Sequence, residues 1–135
     1  MLKQLKKHHI GVVINKKFKK LAEIITNKKF QKDKTQKTEV LFFKIPFLKF
    51  YIEFVLKMGR VKNAKIGLHH TCYDVKNKLE IDEILNSFIN NKINENNVFE
   101  ITKIEKSSSK ECNYVQFFYF KKLGIIEFNI KDHKC

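Results

Sequence analysis

Cysteine, arginine, proline and long apolar runs are all scarce in this chain, and each scarcity removes a class of protein. Three cysteines, Cys72, Cys112 and Cys135, stand far apart and are odd in number. That pattern is neither a disulfide framework nor the paired spacing of a zinc finger, and a reducing cytoplasm is the expected compartment. Arg60 is the single arginine, which weighs against bidentate recognition of phosphates and guanines. The net charge of +14 comes from lysines scattered beside asparagine and isoleucine, so it reads as a solvated surface rather than a nucleic-acid face. The start, Met1 to Lys7, is basic, but the apolar stretch after it ends at Ile14 without a small-residue cleavage pattern. Nothing is long enough to span a bilayer, and a soluble chain with no membrane partner is expected. At 135 residues the chain is one domain, 1–135, able to bury a core without cross-links.

What is present is a repetition. His8-His9-Ile10-Gly11-Val12-Val13-Ile14 has a counterpart in His69-His70-Thr71-Cys72-Tyr73-Asp74-Val75, and four of the five histidines lie in these two pairs. Each run reads as a strand leading to a polar turn and a helix. Each half closes on an apolar strand with one acid, Tyr51-Ile52-Glu53-Phe54-Val55 and Ile125-Ile126-Glu127-Phe128-Asn129. One imidazole and one carboxylate per half point to a shared metal site with two nitrogen and two oxygen ligands.

Periodicity supplies the elements between. Phe18, Leu21, Ile24 and Ile25 predict a helix over 16–26 with this apolar face inward and lysines outward. A short strand is expected near Phe30, and two further strands over 38–45 and 48–56, divided at Pro46. The second half repeats the order: a strand over 69–75, then a helix over 79–91 with Leu79, Ile81, Ile84, Leu85, Phe88 and Ile89 on its apolar face. Glu80, Asp82 and Glu83 fall in its first turn, where the helix dipole favours acids. Strands over 99–106, 114–120 and 124–130 follow, with a loop at Ser107-Ser108-Ser109-Lys110.

Neighbouring residues of a strand point to opposite faces, so only one histidine of each pair can enter a common cavity. The second members put His9 with Gly11 and Val13, and His70 with Cys72 and Asp74. Glu53 shares a face with Tyr51 and Val55, and Glu127 with Ile125 and Asn129. Alternation leaves open which face is inside. A lone acid in such a strand usually faces solvent, but its recurrence in both halves favours ligation. Cys72 reads as a small buried hydrophobe.

These segments, with Glu39-Val40-Leu41-Phe42-Phe43, Gly67-Leu68-His69-His70 and Tyr114-Val115-Gln116-Phe117-Phe118-Tyr119-Phe120 followed by Leu123-Gly124, resemble the vicinal oxygen chelate superfamily. That superfamily takes in glyoxalases, bleomycin-resistance proteins and dioxygenases. The methylmalonyl-CoA epimerase branch is the most similar, through the Gly-Leu-His-His segment. The resemblance implies an α+β fold of two tandem βαβββ modules, about 8–56 and 67–131, forming a half-barrel cleft around a metal. It places the ligands at His9, Glu53, His70 and Glu127, for cobalt, manganese, nickel, iron or zinc. It also implies a metal-dependent epimerase or isomerase that removes a proton next to a carbonyl through a stabilised enolate, on a small acidic or CoA-linked substrate, in a homodimer. Glu127 resembles a family base as well as a ligand. The nearest candidate for a second acid, Glu39, stands one residue out of register, and one residue reverses a strand side chain. A glyoxalase-like lyase is the enzymatic rival. A metal-free, antibiotic-sequestering protein is the non-catalytic one.

Overall fold

The computed structural model describes residues 5–90, 98–107, 113–121 and 123–131. Among them the chain is α+β, with strands β1 (Lys7–Ile14), β2 (Gln31–Asp33), β3 (Thr38–Phe43), β4 (Tyr51–Leu56), β5 (Gly67–Val75), β6 (Val98–Glu100), β7 (Glu105–Lys106), β8 (Tyr114–Phe120) and β9 (Gly124–Ile130). The helices are α1 (Lys19–Thr26) and α2 (Lys78–Asn90). Among the described residues no helix is long and apolar enough to cross a membrane. Two compact units divide the chain: residues 9–70, and residues 5–8 with those from 71 onward.

In the 9–70 unit the strands run in the order β2-β3-β4-β1, with β4 antiparallel to β3 and parallel to β1. Alternation then sorts the side chains. Leu41, Leu56, Phe43, Phe54 and Ile14 lie on one face with Ala22 of α1 and Phe30. Val13, Val40 and Val55 lie on the other, with Val61 and the partly buried Phe42. A 3-10 turn, Lys16–Phe18, precedes α1, and Asn15 caps it by accepting a hydrogen bond from the Lys17 amide at 3.0 Å. Asn27, in the left-handed region at φ 55°, stops the helix.

The orientation of α1 reverses the sequence expectation. Ala22 is its buried residue, whereas Leu21, Ile24 and Ile25 are 52%, 76% and 74% exposed. Polar side chains turn toward the sheet instead: Lys19 donates to Glu39 at 2.9 Å, and Glu23 accepts from the Phe30 amide at 2.9 Å. Helical spacing identifies an apolar stripe but not what the stripe meets, and here two directional polar contacts fix the rotation.

In the other unit β8 lies between β9 and β6, and β7 also pairs with β8. The strand expected over 99–106 is thus two short pieces, and part of the serine loop, 108–112, lies outside the described residues. Ile81 and Ile84 of α2 pack with Phe118, Phe120, Ile126, Phe128, Ile130 and Val75, while Leu79 is exposed. The side chains of Phe88 and Ile89 lie outside the described residues. At the start of α2, Asn77 accepts from the Glu80 amide at 3.1 Å and Glu80 accepts from the Lys76 amide at 2.8 Å, so the two side chains together satisfy amides of the helix start.

The reversed helix predicts a contrast measurable by denaturant unfolding. Leu41→Ala should cost about 2–5 kcal/mol through cavity formation, whereas Ile24→Ala should stay within about 0.5 kcal/mol. Equal losses at the two positions would mean that the stripe, not Ala22, packs the helix.

Candidate metal centre

His9 on β1, Glu53 on β4 and His70 on β5 belong to the 9–70 unit and converge on one point. His9 Nε2 and His70 Nε2 are 3.0 Å apart. Glu53 Oε1 lies 3.1 Å from His70 Nε2 and 3.4 Å from His9 Nε2. All three side chains are buried. The face left open by alternation is thereby identified within this unit: Glu53 stands with Val13, Val40 and Val55, on the side away from α1.

Register brings the groups together. Glu53 sits opposite Gly11 across the parallel β1–β4 pair and opposite Phe42 across the antiparallel β3–β4 pair. His9, two residues before Gly11, shares its face, and its ring meets the edge of Phe42 at 5.2 Å between centroids. Gly11 makes room for the second imidazole, because a Cβ built there would clash with the His70 ring. The glycine is required by this close approach.

Burial pushes the Glu53 carboxyl up, but the charge of His9 and the polar contacts of both histidines outweigh it and hold the group at about 2. The carboxylate is therefore ionised at neutral pH. Its Oε1 is buried and accepts no aligned hydrogen bond, although both imidazole nitrogens stand at ion-pair distance. A buried carboxylate oxygen without an aligned donor, facing two imidazole nitrogens, is an arrangement able to hold a metal ion. The spacing agrees: two ligand atoms each ~2.1 Å from one cation stand about 3.0 Å apart at a right angle and about 3.4 Å apart at the tetrahedral angle. Two imidazoles and one carboxylate suit borderline divalent ions and leave further coordination positions open.

Sequence reasoning set His69 aside, since alternation turns it away from His70. Even so, His69 Nδ1 lies 2.8 Å from His70 Nδ1. With His70 as donor in that bond, its Nε2 presents a lone pair to the cluster, and the ring is held in orientation from behind. The His-His dipeptide was the available signal.

The remaining candidates, Glu127 and Glu39, lie on other strands. Glu127 is buried on β9, opposite Phe117 of β8 in the 71–131 unit, on the face away from α2. Phe42 and Phe117 thus play the same part opposite the two acids. The repeat Val40-Leu41-Phe42-Phe43 and Val115-Gln116-Phe117-Phe118 is the sequence signal for it. Glu39 is not brought to the cluster. Its register places it with Leu41 and Phe43 on the α1 face, where its bond to Lys19 raises that ammonium above its usual value. Cys72 is buried on β5.

No family model and no curated protein matches the sequence. Solved structures do match. Hypothetical protein BH1468 from Bacillus halodurans C-125 is 19% identical with a TM-score of 0.60, covering 98% of each chain. The methylmalonyl-CoA epimerase of Mycobacterium tuberculosis is 10% identical with a TM-score of 0.58, covering 93% of this chain and 87% of that one. A selenomethionine methylmalonyl-CoA epimerase is 14% identical with a TM-score of 0.59, covering 93% and 94%. At such identities the likeness establishes the fold.

Two outcomes follow from the geometry. The folded chain holds Glu53 ionised to about 2 against an ordinary value of 4.5, so between those values the unfolded chain binds more protons. The stabilisation is complete above pH about 4.5 and is lost as pH falls toward about 2, a slope that thermal unfolding should show and that Glu53→Gln should flatten. Gly11→Ala should displace the His70 ring, shifting its imidazole NMR signals and costing about 1–3 kcal/mol. Unchanged signals would contradict the packing described.

Proposed function

We propose that this chain is a divalent-metal-dependent isomerase of the vicinal oxygen chelate type, moving a proton on a carbon next to a carbonyl. The observation that carries the reading is the convergence of His9 Nε2, His70 Nε2 and the orphaned Glu53 Oε1 within 3.0–3.4 Å. The fold shared with two methylmalonyl-CoA epimerases supports it, as do the duplicated segments of the sequence. In this reading the chain's halves, about 8–56 and 67–131, are the superfamily's two βαβββ modules.

His9, Glu53 and His70 would hold the cation, with Glu127 as the fourth ligand on the strength of the resemblance. A divalent ion there supplies Lewis-acid stabilisation of negative charge developing on a carbonyl oxygen. The chain's own groups do the rest. Glu53 stays ionised at working pH and balances the cation. His69 orients His70, and Gly11 leaves the space that the ring occupies. Glu127 is assigned the proton removal, a step for which a carboxylate shielded from water is suited. The lysine excess draws anionic substrates such as an acyl-CoA thioester by long-range attraction.

Elemental analysis of the purified protein, with exchange of the proton next to the thioester carbonyl followed in deuterated water, tests the reading. About one transition metal per chain is expected in the parent and in Glu127→Gln. His70→Ala should lose it, and exchange should fall at least ~100-fold in both variants. Metal without exchange on any acyl-CoA, together with turnover of a glutathione hemithioacetal, would make the protein a lyase. Absence of metal after incubation with cobalt, manganese, nickel, iron and zinc would overturn the metal site and leave a binding protein.

A further inference from the structure

We propose that α1 is a docking helix for an anionic lipid surface. Two of its polar side chains are engaged away from the stripe, Lys19 on Glu39 and Glu23 on the Phe30 amide, and the Thr26 hydroxyl bonds back to the helix's own Ala22 carbonyl at 2.8 Å. Outward it presents Phe18, Leu21, Ile24 and Ile25, between 46% and 76% exposed, at the spacing of a continuous helical stripe. Lys16, Lys17, Lys20, Lys28 and Lys29 are exposed around that stripe. The acid in the segment, Glu23, is turned to the sheet, so the outer face is apolar at its centre and cationic at its margin.

The choice of occupant follows from that pairing of apolar and cationic groups. A nucleic acid would satisfy the lysines but return the aliphatic side chains little, since its contacts are dominated by phosphate. A second copy would satisfy the aliphatic side chains but set lysine against lysine. A helix of eight residues is about 12 Å long and offers far less than the ~800 Å² per partner of a standard interface. An anionic bilayer satisfies both, with aliphatic groups entering the headgroup boundary and ammonium groups meeting lipid phosphates and carboxylates. Adsorption of this kind requires no spanning segment, and it departs from the sequence expectation that the chain engages no membrane.

Co-sedimentation of the full chain with vesicles of about 30% phosphatidylserine in phosphatidylcholine, beside vesicles of phosphatidylcholine alone, tests the proposal. The parent should bind the anionic vesicles and release them as salt is raised. A Leu21→Gln/Ile24→Gln/Ile25→Gln variant should partition about tenfold less, with unchanged circular dichroism because the positions are exposed. Ile24→Asp should repeat the loss from a single site. A Lys17→Gln/Lys20→Gln/Lys28→Gln variant should bind less and lose most of the salt dependence. The proposal fails if the parent ignores anionic vesicles, or if the apolar variants bind as well as the parent, leaving charge alone as the cause. It fails equally if the parent sediments as a dimer that the apolar variants dissolve without any effect on vesicles.

Discussion

A carboxylate taken out of water has to be compensated within the fold, and around Glu53 much of the 9–70 unit answers that demand. Removing a charge from water costs several kcal/mol, and one flanking group rarely repays it. Two imidazoles converge on the same oxygen, yet neither meets it with hydrogen-bond alignment. The compensation is coulombic and directional toward a point, which is the arrangement a cation completes. Everything that makes the point possible is backbone register: His9 and Gly11 on one strand, Glu53 across from Gly11, and the absent side chain of Gly11 giving His70 its place.

The helix in each unit covers one sheet face and leaves the acid on the other. In the 9–70 unit the covered face is sealed by Leu41, Leu56 and Phe30 with Ala22. In the other it is sealed by Phe118, Phe120, Phe128 and Ile126 with Ile81 and Ile84. The second helix does so with large aliphatic groups, as amphipathicity predicts. The first does so with alanine and two polar anchors. Because a single alanine buries little surface, the polar contacts set its rotation, and the stripe that would ordinarily form a core is turned to solvent.

Much of the organisation was legible because it follows from short-range pattern. The duplicated histidine pairs, the closing strands around Glu53 and Glu127, the break at Pro46 and the register shift that turns Glu39 aside all rest on a two-residue period, which sequence displays directly. His9, Glu53 and His70, which the structure brings together, were legible as residue types at repeated positions. What escaped was contact made through space. The bond of His69 to His70 links side chains that alternation sends apart, and the Lys19–Glu39 pair joins residues on different elements.

By itself the sequence determined the α+β class, the order of elements and the residue types, imidazole and carboxylate, offered at repeated positions, since propensity, periodicity and ligand chemistry are local properties. Tertiary structure alone decided which face of each strand is enclosed, that Gly11 makes space for an imidazole, and that α1 points its apolar stripe outward. Those outcomes depend on which surfaces exclude water from one another, and no period along a chain encodes that.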